Sequence, residues 1–215
     1  MKSGYKVLVF FISFYVVFAI NTFSAENAGL IMKKTEKTLK GMSTLNCSFE
    51  RQYIVNGSGG GTPITGTISL KKPYKLRVEY SGQTIVVDGE NVWVYIPRNN
   101  QVQISKFVSD SETFPTPESI FRKYSQNSEA ALAGTENING SICDILSLKS
   151  KGAAQKEIKV WIDRKLNFPV KSLEKGPSGE TSVYVLKDVV INGKTDPKKF
   201  VFTPPKGAEI VDMRE

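Results

Sequence analysis

The stretch Gly66-Thr67-Ile68-Ser69-Leu70-Lys71-Lys72-Pro73-Tyr74-Lys75-Leu76-Arg77-Val78-Glu79-Tyr80, followed by Val87-Asp88-Gly89-Glu90-Asn91-Val92-Trp93-Val94-Tyr95-Ile96-Pro97, sets the fold. Its runs are short, rich in β-branched and aromatic residues, and punctuated by Pro, Gly, Asp and Asn, which is strand and turn chemistry. The same texture runs from Ser48 onward and predicts strands near 48–55, 65–72, 75–80, 83–88, 91–97, 101–106, 141–149, 157–163, 169–174, 181–191 and 199–203. Eleven such runs with short links predict an antiparallel meander. Asp88-Gly89, Asn192-Gly193 and Pro177-Ser178-Gly179 are expected turns. The Gly-rich stretch Asn56 to Gly61 is expected to be a hairpin loop, because it lacks the Lys-Ser/Thr and following helix of a phosphate cradle.

Two segments break the strand pattern. Residues 26–45 combine good helix formers, with Leu30, Ile31, Met32, Leu39, Met42 and Leu45 set among lysines, and predict one amphipathic helix ending near Gly41. Residues 114–133 predict a helical insertion, with Thr116 as cap, Pro117 in the first turn, and Ile120, Phe121 and Tyr124 at helical spacing before Gly134. Several strands are apolar on both faces. Val92, Val94 and Ile96 alternate with Trp93 and Tyr95, and Ile158, Val160 and Ile162 alternate with Trp161. Such a sheet needs two coverings, and the helices supply one. A packed core and a curved sheet around an apolar cavity both satisfy that pattern.

Outward from the strands, the chain begins with Lys2 and Lys6, an apolar run from Val7 to Ile20, and the small-residue stretch Asn21-Thr22-Phe23-Ser24-Ala25. This is the order of a cleaved secretory signal peptide over residues 1–25, and the run is short for a spanning helix. The first cysteine is Cys47, so no lipid-attachment cysteine follows the run. Residues 26–215 are expected to form one soluble domain. Removing the leader takes two lysines and no acids, so 27 basic and 21 acidic residues leave a formal charge of +6. Outside the cytoplasm such a charge points to acidic partners or anionic membrane surfaces, or to solubility alone, and not to nucleic acid. Cys47 and Cys143 would lie in an oxidising compartment and are a candidate pair for one disulfide.

The composition argues against catalysis. With no histidine in 215 residues, an imidazole base, a His-ligated zinc or haem, and a histidine pH switch are all excluded. Ser172-Leu173-Glu174-Lys175 has the Ser-x-x-Lys spacing of some serine hydrolases, but in a strand positions three apart face opposite sides. Glu50, Glu79, Asp88, Asp163 and Asp188 show no spacing that selects an acid and base pair. There is no Cys-x-x-Cys, calcium loop or nucleotide motif, and no cofactor is expected.

The two quoted segments resemble the periplasmic outer-membrane lipoprotein carrier (LolA) family, and the ending Lys199-Phe200-Val201-Phe202-Thr203-Pro204-Pro205-Lys206-Gly207 is similar to that family's close. With the N-terminal helix leading into Ser48-Phe49, the likeness spans essentially the whole mature chain. The resemblance implies a mainly β fold: an unclosed antiparallel half-barrel of about eleven strands, with a helical lid over an apolar cavity. It implies a monomeric periplasmic chaperone that accepts acylated lipoproteins from an inner-membrane ABC transporter. The cargo passes to an outer-membrane receptor, or to the outer membrane itself. A free-lipid carrier or a lipid-sensing protein on the same fold is the alternative. The family's functional arginine, which helps hold the lid shut, precedes the proline of the first segment; here that place is held by Lys72. The family's transporter-contact position corresponds to Leu76. Phe49, Val78, Trp93, Tyr95 and Phe121 are the candidate cavity or lid residues, with core packing the alternative for each. About three acyl chains of roughly fifteen methylenes, at about 0.8 kcal/mol each, amount to some 35 kcal/mol of apolar exposure that such a cavity must cover.

Overall fold

A computed structural model describes residues 27–55, 58–109, 117–126, 128–150, 157–176 and 179–214. The expected signal peptide, residues 1–25, the expected cap Thr116, and Pro177 and Ser178 of one expected turn lie outside the described residues. Helix α1 covers 27–41. Twelve strands follow, β1 (Thr44–Val55), β2 (Ser58–Lys71), β3 (Lys75–Tyr80), β4 (Gln83–Val87), β5 (Asn91–Ile96), β6 (Gln101–Lys106), β7 (Ser128–Ile138), β8 (Ser141–Ser150), β9 (Glu157–Asp163), β10 (Phe168–Lys175), β11 (Thr181–Ile191) and β12 (Glu209–Met213), with helix α2 (Pro117–Gln126) between β6 and β7. All twelve form one sheet in the order β12-β6-β5-β4-β3-β2-β1-β11-β10-β9-β8-β7, which is not closed into a barrel. Two antiparallel meanders, β1 to β6 and β7 to β11, are therefore joined side by side where β1 pairs with β11.

The structure corrects the expected elements in four places. Ser58–Gly61, expected in a hairpin loop, open β2, where Ser58, Gly59 and Gly60 pair with Val55, Ile54 and Tyr53 of β1. Residues 128–133, the end of the expected helical insertion, instead open β7 (Ser128–Ile138), because pairing with β8 overrides the helix propensity of Ala130, Ala131 and Leu132. Residues 199–203 are not a strand: Pro197–Phe200 is a short 3-10 helix, begun by Asp196, whose carboxylate accepts from the Lys198 N–H. The closing strand is instead β12, which lies parallel to β6 and is the exception to the expected antiparallel pairing.

Both faces of the sheet are covered, as the two-sided apolar strands require. On one, here the helix face, α1 and the residue just past it bury Ala28, Thr35, Leu39 and Met42, spaced seven, four and three residues apart, while Leu30 is turned out to solvent. Leu39, Met42 and Phe121 of α2 join Leu45, Cys47 and Leu70 of β1 and β2 and Leu146, Leu148, Ile158, Val160 and Ile162 of β8 and β9 in the main core. Burying a leucine or methionine of this kind is worth about 1.5–3 kcal/mol, so α1 is held chiefly by its apolar stripe. On the outer face, the C-terminal arm crosses β2 to β5. Phe200 is fully buried, Arg77 Nη1 donates to the Lys199 carbonyl at 3.3 Å, and Lys199 Nζ donates to Ser69 Oγ at 3.2 Å.

Candidate functional site

Strand register lays the helix face out as rows. Leu45, Leu70, Leu76, Val87 and Val92 form one row across β1 to β5, all but Leu76 buried, and Leu45 and Leu70 join the core with the helices. The next row, Cys47, Ile68, Val78, Ile85 and Val94, changes character: beyond Cys47 its four members are apolar yet only partly buried. A third row places Phe49 beside Gly66 and Tyr80, again partly buried. Gly66 carries no side chain because there is no room for one. A Cβ there would lie 2.2 Å from the Glu79 carbonyl oxygen and 2.7 Å from the Phe49 ring, so the ring occupies the place a side chain would take. Ile68, Val78, Ile85 and Val94 make a hydrocarbon strip about 14 Å wide at ordinary strand spacing. Among the described residues, no three His, Cys, Asp or Glu side chains gather as a metal site.

Besides this apolar packing, one ammonium group contacts both helices. Lys72, at the turn after β2, donates from Nζ to the carbonyl oxygen of Leu39 at 2.9 Å and of Lys40 at 3.4 Å, and pairs with Glu118 Oε2 at 2.6 Å. The last carbonyls of α1 have no partner within the helix and carry its negative dipole end, so a cation belongs there. Glu118 sits in the first turn of α2, where a carboxylate suits the positive end. Lys72 thus joins the C-terminus of one helix to the N-terminus of the other, while its backbone N–H donates to the Ser43 carbonyl at 2.8 Å.

The sequence-predicted residues divide by face. Phe49, Val78 and Leu76 are on the helix face, Leu76 packed against the core, and Phe121 is buried in α2. Trp93 and Tyr95, expected as cavity or lid residues, are on the outer face instead. Each packs on Phe202 of the C-terminal arm, with ring centroids 5.7 and 6.1 Å away. The helix-face partners on β5 are their neighbours Val92, Val94 and Ile96. Trp93 is also fixed by Asp88, whose carboxylate accepts from the indole and from the Glu90 and Asn91 N–H groups. Burial opposes ionisation of Asp88, but these donors outweigh it and hold its pKa below the ordinary value.

Cys47 and Cys143 are separate buried thiols, not the candidate disulfide. Strands β11, β10 and β9 stand between their strands, about 19 Å along the sheet, and alternation directs Cys47 to the helix face and Cys143 to the outer face. Burial pushes the Cys47 thiol up to about 12. Cys143 is raised to about 11, by burial first and then by the charge of Asp163. Glu118, Ile68, Ile85 and Val94 are the participants that sequence reasoning missed. The signal for Ile85 was available, since it sits two residues from Val87 in a strand already assigned.

A family model described as outer membrane lipoprotein carrier protein LolA matches residues 40–203. An outer-membrane lipoprotein carrier protein of Dechloromonas aromatica is 26% identical over 192 residues, covering 80% of this chain and 83% of that protein. Its counterpart in Helicobacter hepaticus is 26% identical over 175 residues, covering 80% and 85%. An uncharacterized protein of Methanocaldococcus jannaschii is 24% identical over 213 residues, 98% of this chain, which spans 61% of that protein's length. Among solved structures, an uncharacterized conserved protein from Thermus thermophilus has a TM-score of 0.55 at 16% identity, covering 86% of this chain and 99% of that one. LprF from Mycobacterium bovis has a TM-score of 0.54 at 10% identity, with the same two coverages, 86% and 99%. These two share the fold.

Proposed function

Given that this chain belongs to the outer membrane lipoprotein carrier protein LolA family, we propose that it is a periplasmic chaperone for acylated lipoproteins. It takes them from an inner-membrane ABC transporter, shields their acyl chains on the helix face, and gives them up at the outer membrane, through a receptor or directly. The leader over residues 1–25 takes it to the periplasm. It is a binding protein and not an enzyme. The observation that supports this most is the partly buried strip of Ile68, Val78, Ile85 and Val94 running out from under a lid that Lys72 ties at both helix termini.

Binding proceeds by opening. Acyl chains first meet the strip, and α1 then moves off Leu45 and Leu70, against which it packs, to complete the cover. The exposed face would be adhesive if it stayed open without cargo, so closure protects the empty protein. Opening also costs part of the binding energy, which keeps the carrier from holding cargo too tightly to release it. Leu76, at the lid end of β3, is the proposed transporter contact. The test is release: the purified protein added to inner-membrane vesicles should free triacylated lipoproteins and co-purify with them. Binding of free lipid with no liberation of lipoproteins would overturn this reading in favour of a free-lipid carrier.

A further inference from the structure

Farther along the same face, β1 presents a cation where an apolar residue would be expected. Side chains alternate along β1, so Arg51 shares the face of Leu45, Cys47 and Phe49, and it stands in register between Ile64 of β2 and Tyr184 of β11. Its guanidinium carbon lies 5.2 Å from the ring centroid of Tyr184 and 5.9 Å from that of Tyr53. Rings at that range hold the guanidinium by cation–π attraction but satisfy none of its in-plane donors. Arg77, Arg164 and Arg214 each hold a carboxylate, of Glu79, Asp144 and Asp212. Among the described residues, Arg51 holds none, and its Nε is buried with no hydrogen-bond partner. A buried donor left unpaired is a cost that folding ordinarily removes. Beside it opens a pocket of about 290 Å³ lined by Arg51, Tyr53, Thr62 and Ile64. Tyr53, Ile64 and Tyr184 around it are themselves exposed.

We infer that Arg51 and this pocket form a site for the ionised headgroup, carboxylate or phosphate, of an amphiphile whose hydrocarbon tail runs along the helix face past Phe49. A guanidinium fork suits a carboxylate or phosphate. The exposed aromatic and aliphatic side chains around it suit a tail better than they suit a free inorganic ion. This goes beyond the carrier function above, because triacylated chains bring no ionised group to Arg51.

The experiment compares dodecanoate, dodecyl phosphate, dodecanol and inorganic phosphate by displacement of a fluorescent lipid probe from the full chain. Both anionic amphiphiles should bind about tenfold or more tightly than dodecanol, and inorganic phosphate alone should not displace the probe. Arg51→Gln and Arg51→Met should bring dodecanoate to the level of dodecanol, while lipoprotein release from vesicles continues. Equal binding of dodecanoate and dodecanol by the unmodified protein overturns the inference without needing a folded variant. So does displacement by inorganic phosphate as strong as that by dodecyl phosphate. An unchanged dodecanoate-to-dodecanol ratio in Arg51→Gln overturns it as well.

Discussion

Replacing Lys72 by methionine removes the lid's ammonium and leaves the backbone anchor, since the residue's N–H still donates to Ser43. What is lost is two contacts with the last carbonyls of α1 and one with Glu118 of α2. A hydrogen bond made by a charged donor is worth about 1.5–3 kcal/mol when shielded, and an exposed ion pair about 0–1 kcal/mol. With the Lys72 and Glu118 side chains 32% and 30% exposed, solvent screens both contributions. A total near 2 kcal/mol is the reasonable sum, which multiplies the open-to-closed ratio by about 30. Hydrophobic-dye titration of the empty protein should therefore show tighter binding approaching that factor. Hydrogen exchange of the α1 amides should quicken in step. Lys72→Arg should stay near the parent, because guanidinium reaches the same acceptors, and Glu118→Gln should give only a few-fold change. Dye affinity and α1 exchange within about twofold of the parent in Lys72→Met would refute the idea that this ammonium holds the helices down.

Two further outcomes follow from the geometry. Gly66→Ala drives a Cβ to 2.2 Å from the Glu79 carbonyl, a backbone atom of the β2–β3 pairing, so urea unfolding should show a loss of about 1–3 kcal/mol; a change below about 0.5 kcal/mol would mean the strands yield freely. Cys47 and Cys143 have folded pKa values near 12 and 11, against an ordinary value of 9.0, so the fold keeps both protonated when the unfolded chain has begun to ionise. Their effect on stability is absent below pH 9.0, and stability falls as pH rises from there toward 11 and 12. Alkylation at pH 8 should be slow in the native protein and quick in denaturant, and rapid native labelling of both thiols would contradict their burial.

Most strands were legible because alternation and turn residues agree locally. Lys75–Tyr80 and Gln101–Lys106 stand where the pattern set them. The misses share a cause, in that long-range packing decided them. Ser128–Ile138 has the composition of a helix and becomes a strand because β8 offers it an edge. Residues 199–203 read locally as a strand, but Phe200 and Phe202 instead belong to an arm laid across the outer face. That arm also explains Trp93 and Tyr95. Alternation separated them from Val92, Val94 and Ile96, but sequence alone did not say which set meets the helices. Lys72 was located by resemblance, and its acceptors became identifiable only once α1 and α2 were placed.

The seam between β1 and β11 has a consequence for how the molecule is made. Ser43 and Asn192, hydrogen-bonded at that seam, are 149 positions apart. The first meander can assemble by local pairing, but its leading strand has no neighbour on one side until the last meander strand has emerged. Contacts this distant along the chain slow folding, and an unmated strand edge invites association with other chains. As the chain is made, the first half must therefore wait with a bare flank, so a chain stalled before Thr181 is a better substrate for aggregation or proteolysis than one arrested after Ile191.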